Sequence, residues 1–174
     1  RLTEKMAAIQ AGHGLEEGTT LGPLISAKQR DSVAKLVERA LEQGATATTG
    51  GTRPDGAGFF YPATVLANVP DDAEILRQEI FGPVATVTTF STLEEGVAKA
   101  NDTEFGLAAY AFTENFHTAE YLAHALEAGM VGINRAAISD AAAPFGGIKE
   151  SGFGREGGAE GIEEYISVRY IAKP

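Results

Sequence analysis

The chain has 174 residues, of which 44% are hydrophobic and 22% charged. Those values suit one globular domain, or a large part of one, and exclude wholesale disorder. Acidic residues outnumber basic ones by 24 to 14, for a formal net charge of -10, which repels phosphate backbones and anionic bilayers and sets nucleic-acid and membrane partners aside. There is no cysteine, so disulfides, thiolate metal sites and cysteine nucleophiles are excluded within this chain. No run approaches the roughly 18 consecutive apolar residues of a membrane span. No secretory leader pattern is visible, and a cytoplasmic setting is expected. The chain begins at Arg1 inside a helical pattern, and that start reads as a cut edge.

Glycine punctuates the chain regularly. Residues 2–11 read as a helix closed by Gly12 as its C-terminal cap. After a loop rich in glycine comes the cleanest helix. Ser26 and Gln29 form its capping box, and Val33, Leu36, Val37, Ala40 and Leu41 recur on one apolar face, with Gly44 ending it. A short strand over 45–48 leads into the exposed turn-rich stretch GGTRPDGAG. Residues 59–66 are β-rich but broken by Pro62. Residues 71–78 suit a short helix with an acidic first turn, which complements the helix dipole. Residues 84–90 read as a strand, and Thr92 with Glu95 open another helix through a capping box. A strand over 107–112, a helix over 116–128 capped by Gly129, and a strand over 130–134 follow. Residues 135–158 are rich in glycine and small side chains, and the chain closes on a β-rich run over 165–172. Strands alternating with helices predict an α/β fold with a mainly parallel sheet flanked by helices, and such sheets hold ligands at the carboxyl ends of their strands.

Few motifs carry chemistry by themselves. PFGGIKESGFGREGG matches neither GxxxxGK[ST] nor a strand-borne GxGxxG, so tight turning near a ligand or a subunit seam is favoured over cradling phosphate. His117 and His124 lie seven apart on one helix rather than four apart, and with His13 they give no metal signature. Ser139, Ser151 and Ser167 have no neighbouring histidine, and no G-x-S-x-G elbow occurs. Glu79 stands out in QEIFGPV, at a junction between a short helix and a strand. An ionised carboxylate there can accept hydrogen bonds from two sugar hydroxyls, and the Phe81 ring two residues on can cover a planar group. A solvated surface glutamate is the plain alternative.

The text EIFGPV at Glu79 to Val84, AND at Ala100 to Asp102, FGLAA at Phe105 to Ala109 and PFGGIKESGFGRE at Pro144 to Glu156, with LGPLI at Leu21 to Ile25, resembles the C-terminal portion of NAD(P)-dependent aldehyde dehydrogenases. Nearly the whole chain is covered. The stretch GMVGINRAAISDAAAPFGGIKESGFGREG is most similar to succinate-semialdehyde dehydrogenases. The resemblance implies the aldehyde dehydrogenase catalytic-domain fold over residues 1–163 and a C-terminal oligomerisation strand within 164–174, paired with a neighbouring subunit of a dimer or tetramer. It implies NAD or NADP as cofactor and an aldehyde, succinate semialdehyde foremost, as substrate. Glu79 would bind the nicotinamide ribose hydroxyls, Phe81 would flank that region and Gln29 would approach the cofactor. Phe145 would line the aldehyde pocket, and Ser139 would hold the substrate's distal carboxylate, since a hydroxyl can donate to it. Neither Arg135 nor Arg155 is assigned that task. The nucleophilic cysteine, the general-base glutamate and the nucleotide-binding domain would lie before Arg1. The complete reaction would run through a cysteine thioester, and this chain by itself would be inactive. The competing expectation is a non-catalytic assembly module descended from the same family.

Overall fold

A computed structural model describes residues 1–174. The chain forms two compact units, residues 1–89 and 90–174.

In the first unit, helix α1 spans Leu2–Ala7 and helix α2 spans Ala27–Glu42. Strands β1 (Thr46–Thr49), β2 (Thr64–Ala67) and β3 (Val84–Thr86) form one sheet in that order. Ser26 begins α2 as expected, its side-chain oxygen accepting the Gln29 amide at 3.2 Å. The predicted apolar face is the buried one: Val33, Leu36, Val37 and Ala40 pack with Tyr61, Leu66, Val69 and Ile75. Thr64, also buried, satisfies its hydroxyl by donating to Pro62 O and accepting the Gly51 amide, both at 2.9 Å. The Tyr61 hydroxyl has no hydrogen-bond partner. Burial, and then the nearby Glu38 carboxylate, pushes its pKa up to about 12.

In the second unit, α3 is Leu93–Asn101, β4 Phe105–Gly106, β5 Ala108–Ala111, α4 Phe116–Ala125, β6 Met130–Ile133 and β7 Ile148–Lys149. A 3-10 turn covers Glu160–Tyr165. Thr92 caps α3 by accepting the Glu95 amide. The Glu95 carboxylate in turn accepts the Ser91 amide, which with the Lys99 ammonium holds it below the usual carboxylate range. No helix in the chain is long and apolar enough to cross a membrane.

The sheets are mixed rather than mainly parallel, a correction to the expected architecture. β2–β3 and β5–β6 are parallel, whereas β1–β2 and β4–β7 are antiparallel. Helical turns intervene in both parallel pairs: a 3-10 turn over Glu74–Leu76 before β3, and α4 before β6. β1 reaches β2 through a reversing loop with no crossover helix, which returns the chain antiparallel.

Several boundaries also move. α1 stops at Ala7 because residues 10–12 pair instead with residues 20–21, Gly12 donating to Leu21 O at 3.0 Å, so Gly12 is not a helix cap. α4 stops at Ala125 because the Asn101 side chain takes over its end, donating to Ala125 O at 2.7 Å and accepting the Glu127 amide at 2.9 Å. Gly129, expected as that cap, instead donates to Gly106 O at 2.9 Å, and a Cβ there would collide with the Gly146 carbonyl. The helix expected over 71–78 shortens to the 3-10 turn, and the strands expected over 59–66 and 84–90 keep only β2 and β3. Residues 166–174 form no strand within the chain.

Candidate functional site

The QEIFGPV segment in residues 1–89 is held from several sides, and its two outward side chains are left free. Arg39 reaches the Glu74 carboxylate at 2.6 Å, and Gln78 donates back to Glu74 at 2.8 Å. Ile80 packs against the buried core. A Cβ on Gly82 would meet Val33 Cγ2 at 2.7 Å, so the chain rides directly on α2. Pro83 O accepts the Thr64 amide at 2.8 Å. With Ile80 turned inward, Glu79 and Phe81 face solvent on either side of it. The Glu79 carboxylate makes no hydrogen bond or ion pair, and the Phe81 ring is 73% exposed.

Phe81 has φ of +49°. A bulky side chain at positive φ is costly and persists only where its surroundings enforce it. Gln29 is part of that enforcement. Its Nε2 donates to both Ile80 O and Phe81 O, each at 3.1 Å. The side chain is thus turned toward residues 80 and 81, where both of its donors are used, rather than back along its own helix as a capping box expects. Gln29, Glu79 and Phe81 are thus brought to one place. A free acceptor-only carboxylate beside an exposed ring has the chemistry to grip vicinal hydroxyls and cover a flat group.

Ser139 and Phe145 lie in residues 90–174, on the loop between β6 and β7. Asn134 opens that loop at φ of +53°, its side chain accepting the Thr113 amide and donating to Thr113 O, both at 2.8 Å. Asp140 tightens the middle of the loop by accepting the Ala142 amide at 2.9 Å. Phe145 is tied to Glu156 by two backbone hydrogen bonds of 2.7 and 2.8 Å. It borders a cavity of about 900 Å³ with Arg155, Ile162 and Tyr165. Ser139, on the same loop, is exposed and is not among the residues lining that cavity.

The glycine-rich stretch turns tightly, with Gly152, Gly157 and Gly158 at positive φ. Its polar focus is the reverse of a phosphate cradle, which presents amides to an anion. Here the carbonyls of Gly147, Phe153 and Gly154 converge on Arg155 Nη1 at 2.7, 2.9 and 3.0 Å. No group of three or more His, Asp or Glu side chains converges for a metal, and His117 sits edge-on to Phe116.

Sequence reasoning missed Asn101, Asn134 and Lys149 as organisers of these loops. Lys149, at φ of +56°, donates to Asn101 O and Thr103 O and pairs with Glu127 at 2.7 Å. Asn at a helix end and before a loop was the available signal, since Asn tolerates the left-handed region and bonds both backbone groups.

A sequence model of the aldehyde dehydrogenase family matches residues 1–171. A succinate-semialdehyde dehydrogenase of Paenarthrobacter nicotinovorans is 52% identical over 166 residues, covering 95% of this chain and 37% of that relative. A glutarate-semialdehyde dehydrogenase of Pseudomonas putida is 46% identical over 171 residues, covering 98% and 35%. An aldehyde dehydrogenase from Bacillus cereus, solved as its NAD+ complex, superposes with a TM-score of 0.92 at 41% identity, covering 97% of this chain and 34% of that one. The chain spans about a third of the length of the relatives it matches.

Proposed function

Because the chain belongs to the aldehyde dehydrogenase family, we propose that it is the C-terminal part of an NAD(P)-dependent semialdehyde dehydrogenase, with succinate semialdehyde as the foremost substrate. The observation that carries this reading is Glu79: a carboxylate with no partner, held outward beside an exposed Phe81 whose backbone is forced to positive φ. That arrangement fits a nicotinamide ribose. Glu79 accepts its two hydroxyls, and the Phe81 ring covers the adjoining face. When bound, the nicotinamide accepts the hydride released as the aldehyde is oxidised. Gln29 stands against the same segment. Phe145 walls the aldehyde pocket, and the unpaired hydroxyl of Ser139 donates to the distal carboxylate of the substrate. The names of the succinate- and glutarate-semialdehyde relatives support that carboxylate.

The cysteine nucleophile of this reading comes from outside these residues, since the sequence has none, and the 174 residues alone are expected to leave aldehydes unoxidised. Residues 1–163 contribute to the catalytic domain. Residues 164–174 serve assembly by pairing with a neighbouring subunit, which suits a run that has no strand partner in its own chain and leaves Val168 97% and Tyr170 90% exposed.

Kinetics of the aldehyde-oxidising enzyme that carries this chain test the site. Losing charge-assisted hydrogen bonds in Glu79→Gln is expected to lower kcat/KM by about 10- to 100-fold with an unchanged melting temperature. Unaltered turnover removes Glu79 from the cofactor. Ser139→Ala is expected to raise KM for succinate semialdehyde about tenfold while leaving an uncharged aldehyde of similar length alone. Equal effects on both aldehydes reject the carboxylate assignment.

A further inference from the structure

We infer that Gln29 is a positioning residue. It holds the Ile80–Phe81 backbone in its left-handed turn, and so holds Glu79 and Phe81 outward, rather than gripping the cofactor itself. The inference rests on the reading of Glu79 given above for its catalytic consequence, but not for its structural one.

The geometry is specific. A glutamine amide has two N–H donors and one carbonyl acceptor. Both acceptors that Nε2 reaches lie in one peptide stretch, Ile80 O and Phe81 O at 3.1 Å each, and they bracket the residue whose φ is +49°. Only Oε1 is left for anything else. The side chain starts from the first turn of α2, whose next turn carries Val33, the residue against which Gly82 rides. The helix therefore grips this segment twice, through apolar contact at Gly82 and through the amide one turn earlier. Without those donors, the Ile80 and Phe81 carbonyls lose the bonds that hold them, and Phe81 is free to relax toward negative φ. That relaxation would reorient the Phe81 ring and the adjoining Glu79 side chain.

Two opposed substitutions separate holding from gripping. Gln29→Lys keeps donors for the carbonyls and has no acceptor for a sugar hydroxyl. Gln29→Glu keeps acceptors and has no donor. Deuterium exchange of the 174-residue chain is followed over residues 79–84, with the amides of α2 as the control for folding. Gln29→Glu is expected to speed exchange in this segment about five- to thirtyfold, and Gln29→Lys to stay within about threefold of the parent. In the aldehyde-oxidising enzyme, Gln29→Glu is expected to raise the cofactor KM and lower kcat, and Gln29→Lys to restore most of both. Parent-like exchange in Gln29→Glu overturns the inference. So does exchange in Gln29→Lys as fast as in Gln29→Glu, or a kinetic pattern in which Glu is tolerated and Lys is not. If Gln29→Glu loosens the segment while cofactor kinetics stay unchanged in both it and Glu79→Gln, the hold stands and the ribose reading of Glu79 fails.

Discussion

In residues 1–89, one face of α2 lays Val33, Leu36, Val37 and Ala40 onto Tyr61, Leu66, Val69 and Ile75, and the Glu79 segment hangs from that packed layer through Ile80 and Gly82. In residues 90–174, only Val97 and Met130 among the hydrophobic side chains are buried. The loops of that unit are held instead by polar brackets: Asn101 on the end of α4, Asn134 on Thr113, Lys149 on two carbonyls and a carboxylate, and Arg155 on three carbonyls. Close backbone approach replaces side-chain volume there, as at Gly129 against Gly146. The contrast shows two ways to hold a candidate binding segment. One rests on apolar area, which is insensitive to direction. The other rests on hydrogen bonds, which fix direction but contribute less each.

Truncating apolar side chains should therefore hurt the first unit more than the second. Leu66, fully buried in the first core, should cost about 3 to 4 kcal/mol when changed to Ala, whereas Leu122→Ala on the half-buried face of α4 should cost about 1 kcal/mol. Urea unfolding of the two variants measures both, and equal losses would erase the distinction.

The converse variant targets a bracket. Asn101→Ala strands the Ala125 carbonyl and the Glu127 amide and should cost about 2 kcal/mol. Exchange should rise at the end of α4 and leave α2 unchanged. A uniform rise across both helices would mean that the bracket is not local.

The smallest effect runs the other way. Tyr61→Phe removes a buried hydroxyl that has no partner and should stabilise by about 1 kcal/mol. The same change should flatten the alkaline limb of stability. The folded phenol has its pKa raised from 10.0 to about 12, so the folded state binds the proton more tightly than the unfolded one. That contribution is complete below about pH 10 and is lost as pH rises toward 12. Melts between those limits in the two proteins check the sign. A parent whose stability does not fall in that window would place the hydroxyl in water.

Much of the local structure was legible in the text. Ser26 and Thr92 start their helices because a hydroxyl before a periodic run satisfies a free amide. The α2 face is buried because 3.6-residue periodicity aligns its apolar positions whatever they meet. The EIFGPV and PFGG stretches mark the two candidate binding segments. The ends of α1 and α4 were not legible, because each is set by a partner distant in the chain: residues 20–21 for the one, and the Asn101 side chain for the other.

Sequence alone thus determined which residues could cap, pack or accept hydrogen bonds, since those are properties of the side chain and its near neighbours. Tertiary structure decided strand direction, since β4 and β7 pair antiparallel although α4 lies between them in the chain, and decided that Gln29 spends its amide donors on Ile80 and Phe81 rather than turning back along its own helix. The physical reason is that a donor goes to the best acceptor within reach. For a side chain on a helix, that acceptor can be a peptide some fifty residues away, brought near only by the burial of Ile80 and the bare α-carbon of Gly82 against Val33.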